Sequence, residues 1–237
     1  VVDGVRVYEW IDAVPIERRP ADRRDLRDVA GALARIHGLN WPAEGRPDPW
    51  YSEPIGAERW AAALGGAADA GMAWAPQLQA RLPELLALDE IVAAAPERPL
   101  IRCHLDYNRS NLARAADSGD ILVFDWDNSG PGVAQREAAG ALLDWATGPD
   151  RLADADAVRE FIDAYGDFDA PDITVFAVRV AGWTHYLEMV CRRVAEATAA
   201  EDHRRFWADD VEAMLERPLS IANLEAMLTA VAGAVGT

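Results

Sequence analysis

Apolar positions recur every three or four residues along most of the chain. Behind Asp22, residues Leu26, Val29, Ala30, Leu33 and Ile36 share one face before Gly38. That spacing predicts an amphipathic helix with Asp22 as its cap and Gly38 at its end. Ala-rich stretches at 55–70 and 76–95 predict two more helices, the first weakened by Gly65, Gly66 and Gly71. From Arg136 onward the helical period dominates, over about 136–147, 154–165, 171–199, 202–215 and 218–234, with Pro171 and Pro218 suited to helix starts.

Two segments break this pattern. Val5 to Ile11 alternates and is rich in β-formers, which predicts a strand at the front of the chain, ended by Pro15 and Pro20. In the middle, Leu100 to Cys103 is a short extended run. Asn111 to Arg114 and Ile121 to Phe124 then flank the turn signal Asp117-Ser118-Gly119-Asp120, predicting a β-hairpin. Residues 41–54, rich in proline and glycine around Trp50 and Tyr51, read as loop. The fold class is α+β, mostly α, with a small β insertion that carries the most polar loop.

The formal net charge is -17, from 40 acids against 23 bases, and every base is arginine. Such a field disfavours nucleic acid and anionic membranes and attracts a cationic ligand. No apolar run reaches the roughly 18 residues of a membrane helix. The expected compartment is the cytoplasm, with Cys103 and Cys191 as reduced core residues. No lysine is present, so no step of any mechanism rests on one within this chain.

The polar loop reads Cys103-His104-Leu105-Asp106-Tyr107-Asn108-Arg109-Ser110-Asn111, and Asp125 follows at the end of the hairpin's second strand. A hairpin returns its second end beside its first, which brings Asp125 back toward Asp106 and Asn111. Two carboxylates and an amide at one ribbon edge suit metal-assisted phosphoryl transfer. One acid handles the proton of an attacking hydroxyl, and the other acid and the amide oxygen hold Mg²⁺. Gly130 and Gly132 read as turn residues, His37 as a packing or capping histidine, and Trp50 and Trp74 chiefly as packing residues in loop-like settings.

The spacing His104-x-Asp106-x-x-x-x-Asn111, with Phe124-Asp125-Trp126 after it, resembles the catalytic and metal motifs of the aminoglycoside phosphotransferase family, whose fold is protein kinase-like. Tyr8-Glu9-Trp10-Ile11 resembles that family's interlobe hinge, and Ala34-Arg35-Ile36-His37-Gly38 its Leu-Ala-x-Leu-His segment. Glu137-Ala138-Ala139 stands where the family has Asp-Leu-Ala opening a helix.

The resemblance implies a carboxy-terminal lobe without the amino-terminal lobe. Residues 1–14 would be hinge strand and 15–237 helical lobe, the latter comprising a catalytic loop at 102–112, a metal motif at 124–132 and a helical tail at 136–235. It implies Asp106 as catalytic base with His104 bracing the loop. Asn111 and Asp125 would be Mg²⁺ ligands, and the Glu9, Trp10 and Ile11 backbone would meet the adenine of ATP. The acceptor would be a small hydroxyl compound, and the acidic residues Glu188, Asp202, Asp209 and Asp210 a wall for a cationic one. Leu105 departs from the family's glycine at that position. The same residues also fit a non-catalytic lobe serving as a binding module, and, less well, a metal-dependent hydrolase.

Overall fold

The computed structural model describes residues 10–16, 22–148, 152–195 and 201–235, with only the backbone of 201–204. In chain order the elements are β1 (Ala13–Pro15), α1 (Arg23–Gly38), α2 (Pro49–Ser52), α3 (Gly56–Asp69), α4 (Ala75–Ala93), β2 (Ile101–Cys103), β3 (Leu112–Ala115), β4 (Ile121–Val123), β5 (Gly130–Gly132), α5 (Ala134–Trp145), α6 (Ala155–Tyr165), α7 (Ala177–Ala195), α8 (Glu201–Glu216) and α9 (Ile221–Val235).

Helix α1 starts where a capping box predicts it. Asp22 Oδ1 accepts from the Asp25 amide at 2.8 Å, and Asp25 Oδ2 accepts from the Asp22 amide at 3.2 Å. Its stripe of Leu26, Val29, Ala30 and Leu33 is buried, and α1 packs against α6, which contributes Val158, Phe161 and Ile162 to the same core. Helix α7 lies at the centre of the helical layer, touching α2, α3, α4, α5 and α8. Its Ala177, Val180, Ala181, Leu187, Val190 and Cys191 are buried.

The sheets are small and antiparallel. Strands β3 and β4 form the hairpin, with Leu112 opposite Val123, and β1 adds to its free side with Pro15 opposite Ala113. The turn is built as the sequence implies: Gly119 takes φ +75°, and Ser118 and Asp120 bond to side chains within the turn. Arg114 then pins the hairpin to α1 through Asp25 at 2.7 Å and Asp28 at 2.8 Å.

Several expectations need correction. Residues 1–9, most of the predicted front strand, lie outside the described residues. Trp10 and Ile11 are not in a strand, and β1 begins at Ala13. Pro15 is the last residue of that strand, as an edge position needs no amide donor there. Gly130-Pro131-Gly132 is a strand, β5, paired with β2, and not a turn. The helix expected at 171–199 starts later. A tight 3₁₀ turn, Ile173–Phe176, comes first because Asp172 binds the Thr174 amide at 2.8 Å, and α7 follows. The loop at 41–54 contains α2, capped by Asp48 on the Trp50 amide at 2.8 Å.

Helix α3 has no cap of its own. Buried Asp89 on α4 supplies one, accepting from the Ile55 amide at 3.1 Å, the Gly56 amide at 2.8 Å and Trp60 Nε1 at 3.0 Å. Removing it strands three donors in the core. We therefore expect Asp89→Ala to destabilise the chain by about 3 kcal/mol, read from the urea midpoint, with Asp89→Asn losing less. A change of Asp89→Ala within about 0.5 kcal/mol of zero, the range of ordinary surface substitutions, would contradict this.

Candidate active site

The loop between β2 and β3 is held from below by one buried carboxylate. Glu137, on the first turn of α5, accepts from the His104 amide at 3.2 Å and from the Leu105 amide by a shorter bond. The same group meets His37 Nε2 at 2.7 Å, and His37 Nδ1 meets the Tyr165 hydroxyl at 2.8 Å. Three chain segments thus converge: the end of α1, the start of α5 and the loop.

The cost of this arrangement falls on Leu105, whose φ is +67°. A branched side chain in the left-handed region is disfavoured by roughly 1–2 kcal/mol. Its amide bond to Glu137 and the burial of its side chain offset that strain. Room for the side chain comes from Gly132 on β5, where a Cβ would lie 2.8 Å from Leu105 Cδ2 and 2.9 Å from Cys103 Sγ. Leucine at 105 therefore depends on glycine at 132.

His104 links the loop to the second motif. Its Nε2 lies 2.7 Å from the Phe124 carbonyl, so that nitrogen carries the proton, and Nδ1 accepts from the Asp106 amide at 3.2 Å. Trp126 packs edge-on, 4.7 Å from the imidazole centroid. The Phe124 amide in turn donates to the Asn111 carbonyl at 2.9 Å. Asp125 thus stands one residue beyond two bonds to the loop. Its backbone is left-handed, with φ 56° and ψ 63°, and its side chain is exposed with no hydrogen bond among the described residues.

Asp106 and Asn111 meet directly. Asn111 Nδ2 donates to Asp106 Oδ2 at 2.8 Å and to the Asp106 carbonyl at 2.9 Å, while Asn108 Nδ2 donates to Asp106 Oδ1 at 2.6 Å. Using the nitrogen this way leaves the Asn111 amide oxygen as the free end of the group. The Asn111 amide oxygen and the Asp125 carboxylate are hard oxygen donors of the kind that Mg²⁺ takes.

Asp106, Asn108 and Ser110 open onto a cleft of about 910 Å³ with Asp48, Trp50, Tyr51, Asp144 and Trp183 on its walls. Burial pushes the Tyr51 phenol well up from its ordinary value, and Asp106, Asp48, Glu137 and Asp125 add to the shift. Tyr51 therefore stays a neutral hydrogen-bond donor facing the acids.

The other predicted residues fall elsewhere. Glu9 lies outside the described residues. Trp10 and Ile11 are exposed, Trp10 at 90%. Glu188 is not part of an open acidic wall: its side chain is 5% exposed and bonds Arg59 at 2.7 Å, with Arg192 at 3.8 Å. The Asp202 side chain is not described, and Asp209 is exposed away from the cavities. Asp210 lines a second cavity and accepts from the Tyr186 hydroxyl at 2.5 Å. Trp50 lines the cleft, whereas Trp74 is core.

Sequence reasoning missed the role of Glu137, although its place at a helix start was noted. It read His37 as a packing or capping histidine without seeing its bond to Glu137, and it missed Tyr51 and Asn108. An acid in the first turn, directly ahead of the apolar run Ala138 to Leu143, was the available signal. His37, Cys103 and Glu137 bring ligand atoms within 4.8 Å of one another, yet the histidine and the carboxylate are already engaged with each other and with the loop.

A two-stranded ribbon presenting a histidine-braced Asp-Asn pair, set on a helical lobe, defines the protein kinase-like class. The model of the phosphotransferase enzyme family matches residues 2–174, and the chain belongs to that family. Among solved structures, a spectinomycin phosphotransferase in complex with ADP and spectinomycin is similar at 12% identity and TM-score 0.60, covering 93% of this chain and 69% of its own. An ethanolamine kinase from Plasmodium vivax is similar at 11% identity and TM-score 0.54, covering 91% of this chain and 65% of its own. At these identities the likeness concerns the fold, and the chain spans about two thirds of the length of these neighbours. No curated protein matches the chain by sequence.

Two outcomes follow from the site. Glu137→Ala removes the acceptor of two loop amides and the partner of His37. It should cost about 3–5 kcal/mol in chemical denaturation, as loss of one partner of a buried pair does. A loss below about 1 kcal/mol, the size of one ordinary hydrogen bond, would show that the loop holds itself. The second outcome concerns alkaline pH. Burial raises the phenols of Tyr51, Tyr107, Tyr165 and Tyr186, the last pushed up to about 12 with Asp210 contributing. A folded-state value above the unfolded one, roughly 10, means stability is full below that pH and is lost as pH rises through the folded value. Tyr51, Tyr107, Tyr165 and Tyr186 should thus contribute little phenolate absorbance in the folded chain at about pH 11, and their signal should appear on unfolding. These phenols ionising together near pH 10 in the folded state would contradict the burial.

Proposed function

We propose that this chain is the acceptor-side lobe of an ATP- and magnesium-dependent kinase that phosphorylates a hydroxyl of a small molecule. Asp106 receives the hydroxyl proton at its carboxylate, held in place by Asn108 and Asn111. His104 orients the Asp106 backbone and keeps the loop against the Asp125 motif. The Asn111 amide oxygen and the Asp125 carboxylate would hold Mg²⁺. With ATP bound, the metal supplies charge neutralisation at the γ-phosphoryl group. Trp10 and Ile11, exposed ahead of β1, offer a backbone edge and apolar surface for adenine.

The observation that carries this reading is the division of labour at Asn111. Its nitrogen is fixed on Asp106, while its oxygen and the Asp125 carboxylate have no donor among the described residues. Trp50, Tyr51 and Trp183 give the acceptor cleft aromatic walls. Aminoglycosides, spectinomycin, ethanolamine and choline are the natural first panel. We place the protein in the cytoplasm, where ATP and reduced thiols are found.

The chain carries no lysine to hold the ATP phosphates. Loss of one such preorganised charge costs on the order of 10²–10³ in rate. The non-catalytic binding-module reading rests on that absence.

An ATP-consumption assay with Mg²⁺ and the acceptor panel tests the proposal, alongside calorimetry with Mg²⁺ and ADP. We expect slow acceptor-dependent turnover that falls roughly 10²-fold or more in Asp106→Asn. Nucleotide affinity should survive that change and drop in Asp125→Ala. Equal turnover in native and Asp106→Asn chains would contradict the role of Asp106, and nucleotide binding indifferent to Asp125→Ala would contradict the metal site.

A further inference from the structure

A second cavity of about 940 Å³ adjoins the Asp106 cleft and shares Asp144, Arg179, Tyr186 and Met214 with it. Its acids are already satisfied. Asp144 holds Arg179 at 2.9 Å, and Asp210 receives the Tyr186 hydroxyl at 2.5 Å. Asp22 caps α1 through the Asp25 amide at 2.8 Å, and Asp154 caps α6 through the Asp156 and Ala157 amides at 3.0 Å.

Arg109 is the contrast. It comes from the catalytic loop itself, three residues past Asp106, and makes no ion pair among the described residues. Its guanidinium lies over the Trp145 ring, 4.6 Å from the centroid. Arg109 Nε and Trp145 Nε1 are both buried and both lack a hydrogen-bond acceptor, and both residues line the cavity. Trp145 is 4% exposed. Buried donors without acceptors are rare in folded proteins, and here two of them sit side by side with an unpaired cation.

We propose that this cavity is an anion subsite: Arg109 and Trp145 receive a carboxylate or phosphate group carried by the tail of the acceptor, whose hydroxyl lies at Asp106. Guanidinium and indole N–H groups are donors only, so the ligand atom they meet is an oxygen acceptor. Arg109 is pre-oriented by its ring contact, which lowers the entropy lost on binding. The acceptor class this selects is a hydroxyl compound with an anionic end, longer than ethanolamine. The assignment of its hydroxyl end rests on the kinase reading, whereas the subsite itself does not.

Titration of the ¹⁵N-labelled chain tests both parts, with the Trp145 indole signal assigned through Trp145→Phe. Inorganic phosphate probes a free anion. Gluconate against gluconamide probes an anion attached to a hydroxylated chain. We expect the Trp145 indole to shift with phosphate and gluconate, and gluconate to bind roughly tenfold or more tightly than gluconamide.

Arg109→Gln should lose that preference, and Ala213→Glu, which places a carboxylate on an exposed lining position, should lose it with the fold intact. Asp106→Asn should keep it, so failure of the kinase reading leaves this result standing. An indole unmoved by either probe, or Arg109→Gln and Ala213→Glu chains that bind as the native one does, overturns the subsite. Phosphate binding without any preference for gluconate over gluconamide overturns the link to the acceptor.

Discussion

Everything at this site hangs on a single buried carboxylate. Glu137 is where helix α5 reaches the loop, and its two oxygens receive the His104 amide, the Leu105 amide and His37. A buried carboxylate is costly unless it is paired and hydrogen-bonded, so the pairing specifies one loop conformation. That conformation has Leu105 left-handed and Gly132 opposite it, and it sets the direction in which Asp106 leaves the chain. Above Glu137 a second tier follows, in which His104 binds the Phe124 carbonyl and Asn111 binds Phe124 and Asp106. The polar groups that could do chemistry are thus the last members of a network whose first member is in the core.

Much of this was legible in the residues. Asp22 and the Leu26, Val29, Ala30, Leu33 stripe announce α1, because capping and burial act locally and with a fixed period. The hairpin was legible because Asp117 to Asp120 offer side-chain partners and a glycine for a tight turn. The spacing of His104, Asp106 and Asn111 placed the polar loop, since bonds such as Asn111 to Asp106 span only five residues.

Other features depend on long-range partners and left little local trace. Gly130-Pro131-Gly132 has the composition of a turn, and becomes a strand only because β2 lies alongside it. Glu188 reads as a surface acid, but Arg59, 129 residues away in sequence, draws it inward. The cap of α3 comes from Asp89 on another helix, so no signal precedes Ile55. Leu105 reads as an unfavourable exchange for glycine until Glu137 and Gly132 are seen around it. A strongly acidic chain also suggests an acidic wall, whereas the acids of the second cavity are largely engaged and its distinguishing group is a cation, Arg109.

The central claim is that the buried carboxylate, not the loop itself, fixes the position of His104, Asp106 and Asn111. Native-state hydrogen exchange at the His104 and Leu105 amides measures this directly. These two amides sit in a loop, yet they should exchange as slowly as the α5 amides of Ala141 and Leu142, since opening them requires breaking the Glu137 network. Exchange at the rate of an unprotected peptide, with α5 still protected, would show that the loop moves independently of Glu137 and would contradict the account.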